Sequence, residues 1–269
     1  MKAGVIGCPI KHSKSPIIHG HWMEQYNIDG KYQKIEIKPE SLDVEIKRLI
    51  NENYNGFNVT VPHKEEIFKL CDEVDEKAKT IGAVNTVLIK DKKLHGTNTD
   101  AFGFIQNLKE SSNLILKDKS VLLLGAGGAA RAIIYGLLDE GVSKVYISNR
   151  TRERAENLVT MSPNKIDVVD WDVKEDILNE IDLLVNSTSL GMQGQAELSI
   201  NLSNLKSGTV VTDIVYSPLK TPLLQDAENR GHDVVTGLGM LLHQARPAFE
   251  AWTGTLPDVT RELQELVLA

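Results

Sequence analysis

The sequence predicts an α/β protein of two domains with mainly parallel strands. Short apolar runs typical of strands alternate with helical patterns along the whole chain. The length of 269 residues is comfortable for two cores and long for one. Hydrophobic residues make up 41% of the chain and charged residues 25%, as in an ordinary globular protein.

The first hundred residues combine strands, helices and one hairpin. Strand patterns run through "AGVIG", "YQKIEI" and "GFNVTV", the last continuing to Val61 and ending at Pro62. Helical patterns run through "SPIIHGHWMEQY" and "PESLDVEIKRLINEN". "NTVLIKDKKLHGTN" predicts a hairpin that turns between Lys90 and Lys93.

The second part of the chain is more regular. "DAFGFIQNLKE" predicts a helix, with Thr99 or Asp100 as its cap, and this helix contains the first domain boundary. Six strands follow between residue 120 and about 236, namely "VLLLG", "KVYISN", "DVVD", "DLLVNS", "TVVTDIV" and "DVVT". Helices at 239–252 and 257–268 come after this series. We therefore expect one discontinuous domain of residues 1–101 plus 238–269 and a second of 102–237.

Composition excludes several classes of function. Lys and Arg number 30 against 37 Asp and Glu, and a net charge of −7 argues against a nucleic-acid surface. Cys8 and Cys71 lack metal-ligand spacing, as do the histidines, so free thiols in a reducing compartment are the simplest interpretation. No apolar run is long enough for a signal-peptide core or a membrane span. We expect a soluble protein of the cytoplasm without a metal, nucleic-acid or membrane partner.

The segment "VLLLGAGGAARAIIYGLLDEGVSKVYISNR" predicts a dinucleotide site. Gly125, Gly127 and Ala130 form a G-x-G-x-x-A turn between a buried strand and a helix, followed by another strand. Glycine lets the backbone turn and approach a pyrophosphate, and the helix N-terminus offers free N–H groups and a positive dipole. The alternative is a glycine turn that only lets helix and sheet pack closely. The strand–turn–helix–strand context favours a Rossmann-type nucleotide-binding domain.

The residues after the second strand of this unit predict NADP rather than NAD. An NAD site usually places an acidic residue there to hold the ribose hydroxyls, whereas this chain has Asn149, Arg150, Thr151 and Arg154. Two guanidinium groups can hold a 2′-phosphate. The alternative is a solvated helix start, although cations are disfavoured at a helix N-terminus unless an anion compensates.

Polar clusters end several strands of the first domain. They are Ser13 and Ser15, then Asn58, Thr60 and Lys64, then Asn85 and Thr86, then Thr97 to Asp100. Each has an alternative explanation as a cap; Ser15 before Pro16, for example, suits the N-cap and first helical positions. Lys64 is the exception, because a cation is poorly placed where a helix begins.

In order along the chain, "SKSPIIH", "NVTVPHKE", "GAVNT", "GTNTDAFG", "GAGGAARA", "NRTRERA", "NSTSLGM", "DIVYSPLKTPLL" and "GLGMLLHQA" resemble the motifs of the shikimate dehydrogenase family. That family interconverts 3-dehydroshikimate and shikimate with NADP(H), in the pathway to aromatic amino acids. The resemblance covers nearly the whole chain. Gly20 departs from it, since relatives often carry Asn after the histidine of the first motif.

The resemblance implies a role for each matching residue. Lys64 and Asp100 correspond to the catalytic pair. The substrate carboxylate would meet Ser13 and Ser15, and the other substrate contacts would be Asn58, Thr60, Asn85, Tyr216 and Gln244. The cofactor contacts would be Gly125, Ala126, Gly127, Gly128, Ala129, Asn149, Arg150, Thr151, Arg154, Asn186, Ser187, Thr188, Ile214, Gly237 and Met240. Plain core packing is the alternative for Met240, and the active site is expected in the cleft between the domains.

Besides the question whether Lys64 or Asp100 carries the proton of the reaction, three questions stay open at this point. One rival function is a quinate/shikimate dehydrogenase with broader substrate or NAD use; Ser15 and Asn149 favour shikimate and NADP, because relatives that take quinate or NAD commonly differ there. A second rival is a catalytically silent NADP-binding protein, which would typically lose Lys64 and Asp100. Sequence does not distinguish a monomer from a homodimer.

Overall fold

The computed structural model describes residues 1–269, and the chain divides into two compact units. One consists of Met1–Asp100 with Leu242–Ala269, and the other is Ala101–Leu241. Each unit contains a six-stranded sheet. The predicted α/β class is confirmed.

Twelve strands and ten α-helices make up the two units. The strands are β1 (Lys2–Gly7), β2 (Lys31–Glu36), β3 (Gly56–Val59), β4 (Glu73–Val74), β5 (Thr86–Lys90), β6 (Lys93–Thr97), β7 (Ser120–Leu124), β8 (Lys144–Ser148), β9 (Ile166–Val168), β10 (Leu183–Asn186), β11 (Val210–Asp213) and β12 (Val234–Val235). The helices are α1 (Ser15–Gln25), α2 (Leu42–Asn51), α3 (Lys64–Leu70), α4 (Glu76–Ile81), α5 (Asp100–Ser111), α6 (Gly128–Asp139), α7 (Arg152–Val159), α8 (Pro222–Asn229), α9 (Gly237–Thr253) and α10 (Arg261–Leu268).

The sheet of the first unit has the order β2-β1-β3-β5-β6-β4. β1 runs parallel to both β2 and β3, while β5 and β6 form an antiparallel hairpin. Asp91 and Lys92 at its tip both have positive φ, at 52° and 62°, as a two-residue turn between twisted strands requires. The predicted hairpin is therefore confirmed. The predicted extension of β3 to Val61 is wrong, because the strand ends at Val59 and Val61 is 68% exposed.

The second unit is a fully parallel sheet in the order β12-β11-β10-β7-β8-β9. Alternate residues of β7 enter separate cores on the two faces, with Val121 and Leu123 in one and Leu122 and Leu124 in the other. Such a strand reads as a continuous apolar run because both of its faces are buried. β8 lies on one side of β7 and β10 on the other, so the direction of the strand order reverses between β7 and β10. Open α/β sheets bind ligands at the carboxyl ends of the strands beside such a switch point.

The C-terminal helices differ slightly from the predicted ranges. α9 begins two residues earlier than expected, at Gly237, and contains Pro247 in its interior. α10 begins at Arg261, where the Thr260 side chain accepts a hydrogen bond from the Leu263 N–H. No helix has the length and apolar character needed to cross a membrane.

Candidate active site

Lys64 and Asp100 form an ion pair in the first unit. Each is the first residue of its helix, Lys64 of α3 and Asp100 of α5. The Lys64 Nζ atom lies 2.5 Å from Asp100 Oδ2. The side chains are 16% and 7% exposed, so the pair is largely shielded from bulk water while the Lys64 side chain stays partly accessible. An ion pair removed from solvent needs further hydrogen bonds to be tolerated.

Asp100 does not cap its own helix through its side chain. Its backbone N–H donates to the Asn98 side-chain oxygen over 3.0 Å. The Asp100 carboxylate instead accepts from Lys64 and, over 2.8 Å at its other oxygen, from the Asn85 amide. The capping alternative is therefore wrong for Asp100, whose charge is directed at Lys64.

Asn85 connects the ion pair to other predicted residues. Besides the Asp100 carboxylate, its Nδ2 group lies within donor distance of Thr99 Oγ1, at 3.0 Å, and of Gln244 Oε1, at 3.3 Å. Its side-chain oxygen accepts the Thr99 backbone N–H over 2.9 Å. Asn85 is 2% exposed. Residues from three distant parts of the sequence are thus brought together around one amide.

The serines lie at the start of α1. Ser15 is the first helical residue and Lys14 the N-cap, one position earlier than the capping interpretation of Ser15 requires. The Ser13 hydroxyl accepts the Ser15 N–H over 3.3 Å and lies 3.2 Å from the Ser15 hydroxyl. Ser13 is half-buried and Ser15 is buried. The two hydroxyls form a compact pair at the start of α1, and neither serine is the N-cap.

Asn58 and Thr60 lie at the end of β3. Asn58 is buried, and its side-chain oxygen accepts the Tyr32 hydroxyl over 2.7 Å. Burial raises the pKa of Tyr32 well above 10, with Ser15 opposing the shift through a hydrogen bond. Thr60 is half-buried, and its backbone N–H donates to the Ile6 carbonyl. Sequence reasoning missed Tyr32, which lies in a mostly exposed strand where nothing marks it out.

In the second unit, the glycine turn has the geometry of a nucleotide site. Gly125 has φ of +110°, and a Cβ there would lie 2.6 Å from the Ser187 hydroxyl oxygen, so no other residue fits. Gly127 is the N-cap of α6, in an extended conformation, and a Cβ there would meet no atom within 4 Å. Open space thus faces the free N–H groups of a helix that begins with Gly128 and Ala129. A turn serving only close packing would fill this space, so the residues present fit a dinucleotide pyrophosphate.

The arginines after β8 differ in their partners. Arg152 pairs with the carboxylates of Glu156 and Asp170. Arg150 and Arg154 are exposed and have no carboxylate partner. The Asn149 side chain donates to the Thr151 carbonyl over 2.8 Å, which fixes the turn before α7. Two uncompensated guanidinium groups therefore lie beside a helix start, where they suit an anion.

The loop after β10 is fixed by a buried network. The Asn186 oxygen accepts from the Thr188 N–H at 3.0 Å and the Thr188 hydroxyl at 2.7 Å, and its amide donates to Asp213 over 3.0 Å. Ser187 donates to the Leu124 carbonyl over 2.7 Å, which holds this loop against the glycine turn. Burial raises the pKa of Asp213, a residue that sequence reasoning missed.

The remaining predicted residues of this unit follow β11 and begin α9. A Cβ at Gly237 would overlap the Ile214 carbonyl oxygen, so glycine is required for this close approach. Met240 is 7% exposed and belongs to the apolar core, which packing alone explains. Tyr216 is half-buried, and burial raises its pKa.

Comparisons with known proteins agree along the chain. Models described as "Shikimate dehydrogenase substrate binding domain", "Shikimate / quinate 5-dehydrogenase" and "Shikimate 5'-dehydrogenase C-terminal domain" match residues 5–87, 107–216 and 237–261. A shikimate dehydrogenase (NADP(+)) of Roseobacter denitrificans is 46% identical over 268 residues, covering 99% of this chain and 97% of that protein.

Two solved structures are also similar over their whole length. Shikimate 5-dehydrogenase from Thermus thermophilus, in complex with NADP(H) and shikimate, has a TM-score of 0.89 at 35% identity, with 99% of this chain and 98% of that chain covered. Quinate dehydrogenase from Corynebacterium glutamicum, in complex with NAD, has a TM-score of 0.91 at 32% identity, with 100% and 98% covered.

Proposed function

The chain belongs to the shikimate dehydrogenase family, and on that premise we propose that Lys64 and Asp100 exchange the proton of its reaction. The reaction is the reversible, NADPH-dependent reduction of 3-dehydroshikimate to shikimate, a step towards the aromatic amino acids. The observation that supports our proposal most directly is the shielded Lys64–Asp100 ion pair, to which Asn85 adds a second hydrogen bond at Asp100.

NADPH, when bound, supplies the hydride for the ring carbonyl carbon. The carbonyl oxygen then carries the electron pair of the former π bond and needs a proton. In our proposal the Lys64 ammonium donates this proton, and neutral Lys64 takes one from the shikimate hydroxyl in the reverse direction. Asp100 holds the lysine amine towards the reacting oxygen and compensates its charge. Asn85 keeps the carboxylate in that orientation through its bond to Oδ1.

The other polar residues of the candidate site in the first unit are proposed to bind the substrate. The Ser13 and Ser15 hydroxyls would donate to the substrate carboxylate. Thr60, Asn85 and Gln244 would contact the ring hydroxyls, and Asn58 is proposed as a further substrate contact. Tyr216 is proposed as a further substrate contact from the second unit.

The cofactor is NADP. We propose that residues 125–129 hold its pyrophosphate and that Arg150 and Arg154, with Asn149 and Thr151, hold the 2′-phosphate. The loop of Asn186, Ser187 and Thr188, together with Ile214, Gly237 and Met240, is proposed for its nicotinamide half. The second unit is accordingly the proposed NADP domain and the first unit the proposed substrate domain. A cytoplasmic location and a monomeric or homodimeric state stay predictions.

The test compares two lysines of the same helix. Lys64→Ala should lower kcat for shikimate oxidation with NADP⁺ by about 10²- to 10⁴-fold, with a smaller change in KM, because a positioned acid–base group is lost. Lys69→Ala is the control, since Lys69 lies in α3, is exposed and pairs only with Glu66. Near-normal turnover in Lys64→Ala would refute the proposed role.

The same assay compares shikimate with quinate and NADP⁺ with NAD⁺. Ser15 and Asn149 lead us to expect shikimate and NADP⁺ as the preferred pair. Comparable turnover of quinate with NAD⁺ would instead support the broader quinate/shikimate dehydrogenase activity.

A further inference from the structure

Thr86 places one buried hydroxyl between two side-chain amides. It is the first residue of β5 and is 0% exposed. Its Oγ1 atom lies 3.0 Å from Asn58 Nδ2 and 3.0 Å from Asn85 Oδ1. A hydroxyl carries one proton and accepts at its lone pairs, so it can serve a donor on one side and an acceptor on the other.

Neighbouring backbone groups determine to which amide the Thr86 hydroxyl donates and from which it accepts. Asn85 Oδ1 also accepts the Thr99 N–H over 2.9 Å, a group that can only donate. Asn58 Nδ2 also faces the Asn85 backbone carbonyl at 3.3 Å, a group that can only accept. The Thr86 hydroxyl therefore accepts from Asn58 and donates to Asn85.

The orientation of the Asn85 amide determines which group its NH₂ contacts. With its oxygen held by Thr86 and Thr99, its NH₂ group is directed at Asp100 Oδ1, 2.8 Å away. Asp100 Oδ2 is the atom that meets Lys64. A single series of hydrogen bonds thus runs from Asn58 through Thr86 and Asn85 to the ion pair.

We infer that Thr86 is a positioning residue for the Lys64–Asp100 pair: its hydroxyl locks the Asn85 amide so that Asp100 presents one oxygen to Lys64. The inference rests on the proposed function of that pair. Thr86 acts through Asn85 and touches neither the lysine nor the carboxylate in this series.

The competing explanation is that Thr86 merely fills space in a strand. Threonine and valine are both β-branched and suit a strand equally well. If space-filling were the whole role, Thr86→Val would keep both shape and activity. If the hydroxyl matters, Thr86→Val removes one hydrogen bond from the Asn85 side-chain oxygen and one from the Asn58 side-chain NH₂ group. The Asn85 amide is then less firmly oriented towards Asp100.

The experiment uses variants of the full chain, with shikimate and NADP⁺ as substrates. Thr86→Val should lower kcat by about 10- to 100-fold with a smaller change in KM, because misplaced groups cost rate more than binding. It should also displace the pH profile of kcat. Thr86→Ser, which restores the hydroxyl, should stay within about threefold of wild type with an unchanged profile.

Thr209→Val is the matched control. Thr209 is also buried, at 1% exposure, and its hydroxyl donates to the Ile181 carbonyl, so valine removes a comparable hydrogen bond within the second unit. It should lose stability without a change in the pH profile. Thr86→Ala provides a second hydroxyl-free variant should Thr86→Val not fold.

The outcomes separate this inference from the proposed function. Wild-type-like kcat in a folded hydroxyl-free variant, or an equal loss in Thr86→Ser with an unchanged pH profile, would overturn the role of Thr86 and leave the proposed function standing. Absence of wild-type activity with shikimate, or full activity in Lys64→Ala, would overturn both.

Discussion

His19 should make the first unit lose stability as the pH falls. Its ring is 0% exposed and stacks on Tyr32 at 4.2 Å between centroids, with Trp22, Phe249 and Trp252 within 6 Å. Neither ring nitrogen forms a hydrogen bond of ordinary geometry, and the nearby Asn58 side chain only partly opposes the effect of burial on the pKa of His19. Burial in this aromatic cage lowers the pKa of His19 from 6.5 to about 3, because a charged imidazolium would be poorly solvated there.

The direction in which the free energy of unfolding changes with pH follows from proton uptake by the unfolded chain. Below pH 6.5 the unfolded chain protonates this histidine and the folded chain does not, so the free energy of unfolding falls as the pH falls, down to about pH 3. Between pH 7 and pH 5 the single-site relation gives a loss of about 2 kcal/mol. That loss is a large part of the marginal stability of a domain.

The perturbation is His19→Phe, which removes the titrating ring and keeps aromatic packing. It removes no hydrogen bond of ordinary geometry. Urea unfolding at pH 7 and pH 5, followed by tryptophan fluorescence, reports on this region, since Trp22 and Trp252 surround the ring. The wild-type protein should lose about 2 kcal/mol more than the variant over this interval.

The control is His21→Phe, two positions further along α1, where the ring is only half-buried. It should keep the pH difference of the wild-type protein. The reasoning is refuted if His19→Phe and the wild type lose the same stability between pH 7 and pH 5.

Further predictions concern the cofactor half of the site. Replacing both Arg150 and Arg154 by Ala should reduce the preference for NADP⁺ over NAD⁺ roughly tenfold to hundredfold in kcat/KM, as expected for lost bonds between charged groups. Arg152→Ala should leave the preference unchanged, because Arg152 already pairs with carboxylates. An unaltered preference in the double variant would contradict the proposed role of Arg150 and Arg154. Gly127→Ala should fold normally, because φ of −97° and the open space admit a Cβ, yet raise KM for NADP⁺. Gly125→Ala should lose stability by about 1 kcal/mol or more, since it combines left-handed backbone with a clash; thermal melting and KM measured together distinguish the two glycines.

Sequence patterns predict those strands best in which burial of the side chains produces a local apolar pattern. The strands of the second unit appear as apolar runs because both sheet faces are covered, as at Val121–Leu124. The hairpin of β5 and β6 was predictable for a similar reason, from a polar turn between alternating strands. Val61 was misjudged because alternation continues for one apolar residue beyond the end of the strand, and no local signal shows that its side chain is exposed.

The hydrogen bonds that connect the candidate site residues were not predictable from the sequence. Lys64 and Asp100 are 36 positions apart, and no periodicity brings them to 2.5 Å; only the pairing of distant strands does. Tyr32 and Thr86 were not assigned a role, because the sequence does not show which amide atom each of them meets. Such orientation is a property of the assembled network and leaves no pattern in the sequence.

The two buried aspartates of the chain, Asp100 and Asp213, differ in the charge of their hydrogen-bond partners. Asp213 is surrounded by neutral donors, the Asn186 amide, the Thr221 hydroxyl and the Val215 N–H, and burial raises its pKa. No cation balances it, so its carboxylate serves to join two strand ends and the start of α8. Asp100 has an amide on one oxygen and a lysine ammonium on the other. A carboxylate held only by neutral groups can fix a loop, whereas one paired with a partly accessible ammonium can also support proton exchange at that nitrogen. The charge of the partner, more than the burial of the aspartate, therefore distinguishes the surroundings of Asp100 from those of Asp213.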